Sequence, residues 1–157
     1  MTKPTLKVTE LGQSLWYDNI SRGLLAKKND GSPTGLEKMV LDGDIRGVTS
    51  NPSIFHNAIS KSTEYDSALI PMALAGKSAE DIFWALAVDD IQQACDQLLP
   101  LYETSSKGDG YVSLEVSPNL AHDSEGTAKQ AKELWHRVNR PNLMIKIPAT
   151  KAGIPAV

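Results

Sequence analysis

The chain has 157 residues, of which 41% are hydrophobic and 22% charged, a composition that is ordinary for a globular domain with one core. Its net charge of −3 and the lack of a basic, aromatic-rich segment argue against a nucleic-acid partner. No apolar stretch is long enough to span a bilayer and no apolar leader follows Met1, so we expect no membrane partner.

The first predicted strand, residues 14–18, ends at an acidic residue. Side chains alternate along a strand, so Asp18 shares a face with Ser14 and Trp16. Helices are predicted over residues 21–28 and 36–41, with a loop rich in turn formers between them.

The second predicted strand covers residues 45–51 and is stopped by Pro52. It places Asn51 on the same face as Thr49 and Gly47. This strand therefore also ends in a polar side chain.

The middle of the chain is predicted to be helical over residues 55–60, 64–75 and 78–102. The apolar stripe of the last helix contains Cys95, which we interpret as a core residue. A single cysteine cannot form an internal disulfide, and this favours a reducing, cytoplasmic location. The three histidines lack the spacing of metal ligands, so we expect no metal site.

The third predicted strand covers residues 110–118 and alternates cleanly. One face is apolar, and the other carries Tyr111, Ser113, Glu115 and Ser117. Glu115 thus lies on a small and polar face. An amphipathic helix is predicted next, over residues 123–139.

The fourth predicted strand, within residues 143–150, contains a lysine in an apolar run. Lys146 shares a face with Met144, while Ile145 and Ile147 occupy the other face. If both faces were covered, burial would favour the neutral amine, a nucleophile that can form a Schiff base with a carbonyl. The alternative is a lysine at a strand end that reaches solvent or pairs with a carboxylate.

Strands that alternate with helices predict parallel pairing through right-handed crossovers. Polar groups near the carboxyl ends of four successive strands are typical of an α/β barrel of the (β/α)8 type, whose site gathers side chains from strand ends. A complete four-stranded doubly wound sheet is the alternative fold. We found no linker, so we expect a single domain over residues 1–157.

Four strand–helix units are half of an eightfold barrel, which normally needs about 250 residues. We therefore expect the chain to be the N-terminal portion of a barrel, covering about its first four units. Such a half barrel would expose two sheet edges, through which copies of the chain could associate.

Residues 11–20, 47–55, 112–118 and 142–150 together resemble, in order, the motifs of bacterial transaldolases, particularly the longer group of actinobacteria and cyanobacteria. The resemblance implies a class I, cofactor-free enzyme of the pentose phosphate pathway whose partners are sugar phosphates. Such an enzyme moves a dihydroxyacetone unit, so that sedoheptulose 7-phosphate and glyceraldehyde 3-phosphate give erythrose 4-phosphate and fructose 6-phosphate.

The resemblance also implies residue roles. Lys146 would be the Schiff-base nucleophile, and Asp18 would take and return the proton of the donor's C4 hydroxyl. Glu115 would act through a water, and Asn51 with Thr49 would orient the dihydroxyacetone hydroxyls. The structural alternatives are that Asp18 caps the following helix, that Glu115 only pairs with Lys146, and that Asn51 sets the turn before Pro52.

Family members also use a threonine, a serine and phosphate-binding arginines from later strands, which have no counterpart in these 157 residues. We therefore expect little or no turnover from this chain alone. Two rival hypotheses are a fructose 6-phosphate aldolase-like enzyme, which cleaves without transfer, and a non-catalytic fragment that self-associates.

Overall fold

The computed structural model describes residues 3–157 and contains one parallel sheet. Its strands are β1 (Trp16–Asp18), β2 (Gly47–Thr49), β3 (Tyr111–Glu115) and β4 (Leu143–Lys146). They lie side by side in chain order, and each neighbouring pair is parallel. The predicted parallel pairing is confirmed.

Helices fill the connections between the strands. They are α1 (Pro4–Glu10), α2 (Arg22–Leu25), α3 (Gly35–Leu41), α4 (Pro52–Ser60), α5 (Asp66–Leu74), α6 (Ala79–Thr104) and α7 (Ser124–Val138). Short 3-10 turns follow β3 and β4, at Pro118–Leu120 and Ile154–Ala156. No helix in this part of the chain is both long and apolar enough to cross a membrane.

One face of the sheet, the outer face, packs against the helices. Val48, Val112 and Leu114 point to it and are at most 1% exposed. The long helix α6 lies against β3 and also contacts α3, α5 and α7. Cys95 is fully buried in this layer, as predicted, and burial raises the pKa of its thiol to about 12.

The opposite face, here called the inner face, is not covered by the helices. Met144 is 42% exposed and the Lys146 side chain is 39% exposed. The condition under which burial would favour a neutral Lys146 amine, that both faces of β4 are covered, is therefore not met on the inner face, because the described helices pack on the outer face. Within residues 3–157, β1 and β4 are edge strands with one strand neighbour each.

Four parallel strands in chain order, with their helices on one face, are the first half of an α/β barrel. A doubly wound sheet would carry helices on both faces. The barrel class is the prediction that the structure supports.

Two helices differ from the sequence prediction. Helix α1 was not predicted from the sequence. It buries no residue, and a helix without a buried face has no apolar stripe by which to recognise it. Helix α2 has four residues instead of the predicted span 21–28, because the backbone turns to an extended conformation at Ala26. The other helix boundaries lie close to those predicted.

Candidate functional site

The strand register gathers the predicted residues at one end of the inner face. Asp18 pairs with Thr49 across β1 and β2, and Thr49 pairs with Ser113 on β3. Glu115 pairs with Lys146 across β3 and β4. Because all four strands run in the same direction, these side chains lie at the carboxyl end of the sheet, where barrel active sites are built.

The amine of Lys146 has three partners. Its Nζ lies 3.2 Å from Oε2 of Glu115, 3.0 Å from the carbonyl oxygen of Ser50 and 3.3 Å from Oγ1 of Thr49. The ion pair that was the structural alternative for Glu115 is therefore present. With side chains 39% and 24% exposed, such a pair contributes about 1 kcal/mol or less to stability.

The hydroxyl of Thr49 also contacts a serine that sequence reasoning did not select. Ser113 is 3% exposed, and its Oγ donates to Oγ1 of Thr49 at 3.0 Å. Ser50 in turn donates its hydroxyl to the carbonyl of Ser113 at 2.7 Å. The sequence feature that could have identified Ser113 is its position two residues before Glu115, on the same face of the strand. Ser50 contributes a backbone carbonyl, which any residue type could supply.

Asp18 presents an exposed carboxylate at the end of β1. It does not cap the next helix, because the side chain of Ser21 accepts the capping hydrogen bond from the backbone N–H of Leu24. Among residues 3–157 the carboxylate of Asp18 forms no salt bridge. It is therefore available to a ligand, and β2 and β3 lie between its strand and that of Lys146.

Asn51 has a structural role as the cap of helix α4, which differs from the turn before Pro52 that was its alternative interpretation. Its Oδ1 accepts the backbone N–H of Ile54 at 3.0 Å and caps α4, with Pro52 at the first helical position. The cap uses Oδ1, so the side-chain NH2 group of Asn51 is available to a ligand.

At the amino end of the inner face, Trp16 lies over Gly47. A Cβ atom at Gly47 would sit 2.6 Å from the indole, so a side chain there would displace Trp16. The indole N–H donates to Ser14 at 3.2 Å, and Ser14 donates to Asp109. Asp109 also pairs with Arg46 at 2.8 Å. This polar cluster connects the amino ends of β1, β2 and β3.

The described residues contain no group of three or more His, Cys, Asp or Glu side chains that could hold a metal ion. An apolar cavity of about 290 Å³ lies elsewhere, among α4, α5 and α6. Its lining is formed by His56, Ile59, Ser60, Leu69, Ala79, Ile82, Phe83 and Leu86. None of the strand-end residues belongs to this cavity.

Comparison with known proteins gives one consistent result. The profile of the family described as "Transaldolase/Fructose-6-phosphate aldolase" matches residues 15–157. A protein named "Transaldolase" from Thiobacillus denitrificans is 49% identical over 97% of this chain, which spans 41% of that relative. "Transaldolase" of Mycobacterium ulcerans is 43% identical over 99% of the chain and 40% of its own length. "Transaldolase 2" of a Nostoc species is 43% identical over 97% of the chain and 38% of its own length.

Proposed function

Because the chain belongs to the transaldolase/fructose-6-phosphate aldolase family, we propose that Lys146 forms a Schiff base with a ketose phosphate and serves dihydroxyacetone transfer. The observation that carries the proposal is the position of the Lys146 amine, at the carboxyl end of β4 and 3.2 Å from Glu115. The reaction proposed is the conversion of sedoheptulose 7-phosphate and glyceraldehyde 3-phosphate to erythrose 4-phosphate and fructose 6-phosphate. No cofactor is required for it.

The first half of the proposed reaction makes the covalent intermediate. The lone pair of the Lys146 amine attacks the C2 carbonyl of the ketose, and a proton passes from nitrogen to the carbonyl oxygen. Loss of water from this carbinolamine gives the iminium ion. Glu115, already beside the amine, moves the protons of this step through a water molecule.

In the second half, the bond between C3 and C4 breaks and its electron pair moves toward the iminium nitrogen. Asp18 takes the proton of the C4 hydroxyl as the aldose phosphate leaves. The resulting enamine attacks the acceptor aldehyde, Asp18 returns the proton, and water then releases the product. Thr49 and the amide group of Asn51 orient the dihydroxyacetone hydroxyls by hydrogen bonds.

The chain spans about two fifths of the length of the curated relatives it matches. In the transaldolases that the chain resembles, phosphate-binding arginines come from later strands. We therefore expect these 157 residues alone to form the covalent intermediate but to turn over slowly. A cytoplasmic location is expected from the single cysteine.

Borohydride trapping tests this proposal without requiring turnover. The chain is incubated with fructose 6-phosphate and borohydride, and the mass of the intact protein is measured, followed by peptide mapping. We expect one adduct on the peptide that contains Lys146, and no adduct in Lys146→Met. A folded wild-type chain that gives no adduct, beside a full-length relative that does, would contradict the proposal.

The family description also covers aldolases that cleave fructose 6-phosphate without transferring the fragment. The two reactions differ in their need for an acceptor. Free dihydroxyacetone formed without erythrose 4-phosphate would indicate the aldolase, whereas sedoheptulose 7-phosphate formed only with it would indicate transfer. The relatives named transaldolase favour transfer.

We also propose that the 157-residue chain self-associates through the edges of β1 and β4. The supporting observations are the free edges and the exposed inner face, on which Met144 is 42% exposed. Light scattering over a range of concentrations tests this, and a monomer mass at every concentration would contradict it.

A further inference from the structure

Lys146 and Glu115 are the last residues of their strands, at the end where the sheet has the least support. In the described part of the chain, β4 has a strand neighbour on one side only. The backbone N–H of Val116 donates to the carbonyl of Lys146 at 3.2 Å, and this bond joins the two strands just beyond the pair. Strand ends with few hydrogen bonds open easily. The distance between the two side chains therefore depends on what holds the loops that follow.

Two side-chain hydroxyls join the loops that follow β3 and β4. Thr150, which follows β4, donates its hydroxyl to the carbonyl of Ala121, which follows β3. In the other direction, Ser124 at the start of α7 donates to the carbonyl of Ala152 at 2.5 Å. A carbonyl oxygen can only accept, so the donor of each bond is unambiguous. We call these two bonds the loop bridge.

The segment after β4 forms a tight turn around Thr150. Its Oγ1 accepts the backbone N–H of Gly153 at 2.9 Å, and its carbonyl accepts the N–H of Ile154 at 3.1 Å. A Cβ atom at Gly153 would clash with the carbonyl oxygen of Pro148, so the turn requires glycine there. The hydroxyl of Thr150 is therefore used twice, as an acceptor within the turn and as a donor across to the loop after β3.

Helix α7 fixes the loop after β3. Oε1 of Gln130 accepts the backbone N–H of Ser117 at 2.6 Å, and the hydroxyl of the buried Thr127 donates to the carbonyl of Leu120 at 2.8 Å. The helix is itself part of the core layer, in which its Leu134 is 1% exposed. The loop bridge therefore connects the end of an edge strand to an element that is firmly packed.

We propose that Thr150 and Ser124 are positioning residues, which keep the Lys146 amine beside Glu115 by holding together the loops that follow the two strands. The inference rests on the proposed Schiff-base role of Lys146. Neither hydroxyl is among the three hydrogen-bond partners of the amine. The two residues therefore take no part in the bonds that form and break. They raise the fraction of molecules in which the amine and the carboxylate are correctly placed when a ketose arrives.

Carbodiimide cross-linking tests the positioning without any sugar phosphate. The reagent joins a carboxylate and an amine that are in contact through an amide bond, and it takes up the water that is lost. Peptide mass spectrometry gives the rate of the cross-link between Lys146 and Glu115, divided by that of the exposed pair Lys38 and Asp42 in the same sample. We expect Thr150→Val to lower this ratio about threefold, within the range produced by losing one hydrogen bond. Thr150→Ser keeps the hydroxyl and should retain the wild-type ratio.

Two further variants separate positioning from general damage. Thr104→Val is the matched control, because the hydroxyl of Thr104 also donates to a backbone carbonyl, that of Pro100 at 2.8 Å, but within α6. It should leave the ratio unchanged. Ser124→Ala removes the other half of the loop bridge and should lower the ratio too, which gives a second reading if Thr150→Val does not fold. A wild-type ratio in either bridge variant, or an equal loss in Thr104→Val, would overturn the inference.

Borohydride trapping at several concentrations of fructose 6-phosphate connects the loop bridge with the proposed reaction. We expect Thr150→Val to lower the maximal trapping rate of Lys146 about threefold and to leave the half-saturating concentration unchanged, because its hydroxyl binds a loop carbonyl and not the ketose. A raised half-saturating concentration with a wild-type maximal rate would assign Thr150 to substrate binding and contradict its positioning role. If the wild-type chain gave no adduct, the proposed function would fail, whereas the cross-linking ratios would still decide the role of the loop bridge.

Discussion

Two clusters in this protein each join a cation, a carboxylate and a hydroxyl, but in different surroundings. In the helix layer, Asp90 accepts from Nε of Arg22 at 3.1 Å and from the hydroxyl of Tyr65 at 2.7 Å, and both Asp90 and Tyr65 are fully buried. At the strand ends, Lys146 contacts Glu115 and Thr49 with its side chain 39% exposed.

The buried cluster stabilises the arrangement of three helices. Each carboxylate oxygen of Asp90 has a partner, and the guanidinium of Arg22 lies 4.7 Å from the centre of the Tyr65 ring. These residues come from α2, the start of α5 and α6. The strand-end cluster is open to solvent, so a ligand can replace its hydrogen bonds. The same three kinds of group therefore support the fold in one place and are available for chemistry in the other.

The largest expected effect on stability comes from breaking the buried cluster. Arg22→Met should lower the free energy of unfolding by about 3 kcal/mol, because it leaves the carboxylate of Asp90 buried without its cation. Urea unfolding followed by circular dichroism measures the change.

The control is Lys38→Met, which removes an exposed pair with Asp42 at 2.9 Å and should change stability little. Equal losses of unfolding free energy in the two variants would mean that the burial of Asp90 does not increase the cost of removing its cation.

The buried cluster should also make stability depend on pH. Burial raises the pKa of Asp90 above its ordinary value of 3.8, although Tyr65 and Arg22 act in the opposite direction. A folded-state pKa above the unfolded one means that stability is present below about pH 3.8 and is lost as pH rises through the folded pKa.

Relative to Asp90→Asn, the wild-type chain should therefore lose free energy of unfolding as the pH rises from about 4. Urea titrations of both chains between acid and neutral pH measure this difference. If the difference in unfolding free energy between the two chains stays constant, or changes in favour of wild type as the pH rises, then burial is not the dominant influence on the pKa of Asp90.

The strand-end cluster should contribute little to stability. Lys146→Met should change the free energy of unfolding by no more than about 1 kcal/mol, because the pair with Glu115 is partly exposed. The same variant should lose the borohydride adduct completely. A loss of stability as large as that of Arg22→Met would remove the distinction between the two clusters.

The last prediction concerns the reactivity of the thiol of Cys95 in the helix layer. Cys95 is fully buried and the pKa of its thiol is raised to about 12 by burial. A disulfide reagent at pH 8 should therefore leave the native chain almost unlabelled and label it fully in urea. Rapid labelling of the native chain would show that the outer layer opens readily.

Much of this architecture could be predicted because it depends on local pattern. The alternation along β3 placed Val112 and Leu114 in the core and Glu115 on the other face, as the structure shows. The apolar stripe of α6 placed Cys95 in the core. The parallel pairing of the strands followed from the alternation of strands and helices.

What could not be predicted depends on neighbours distant in the sequence. The contact of Lys146 with the carbonyl of Ser50 joins residues that are 96 positions apart and involves a backbone atom. For Asn51 the sequence offered a ligand-binding role or a turn before Pro52, and its cap on the backbone N–H of Ile54 is seen only in the structure. The exposure of the inner face depends on which elements cover it, and no strand pattern contains that information.

The most direct test of the proposed role of Lys146 compares the native and the unfolded chain in one trapping experiment. Fructose 6-phosphate and borohydride are added to the protein in buffer and in concentrated urea, and the adduct on each lysine peptide is quantified. We expect an adduct confined to Lys146 in the native chain and spread over many lysines in the unfolded chain. Equal distributions in the two samples would show that the fold gives Lys146 no special reactivity.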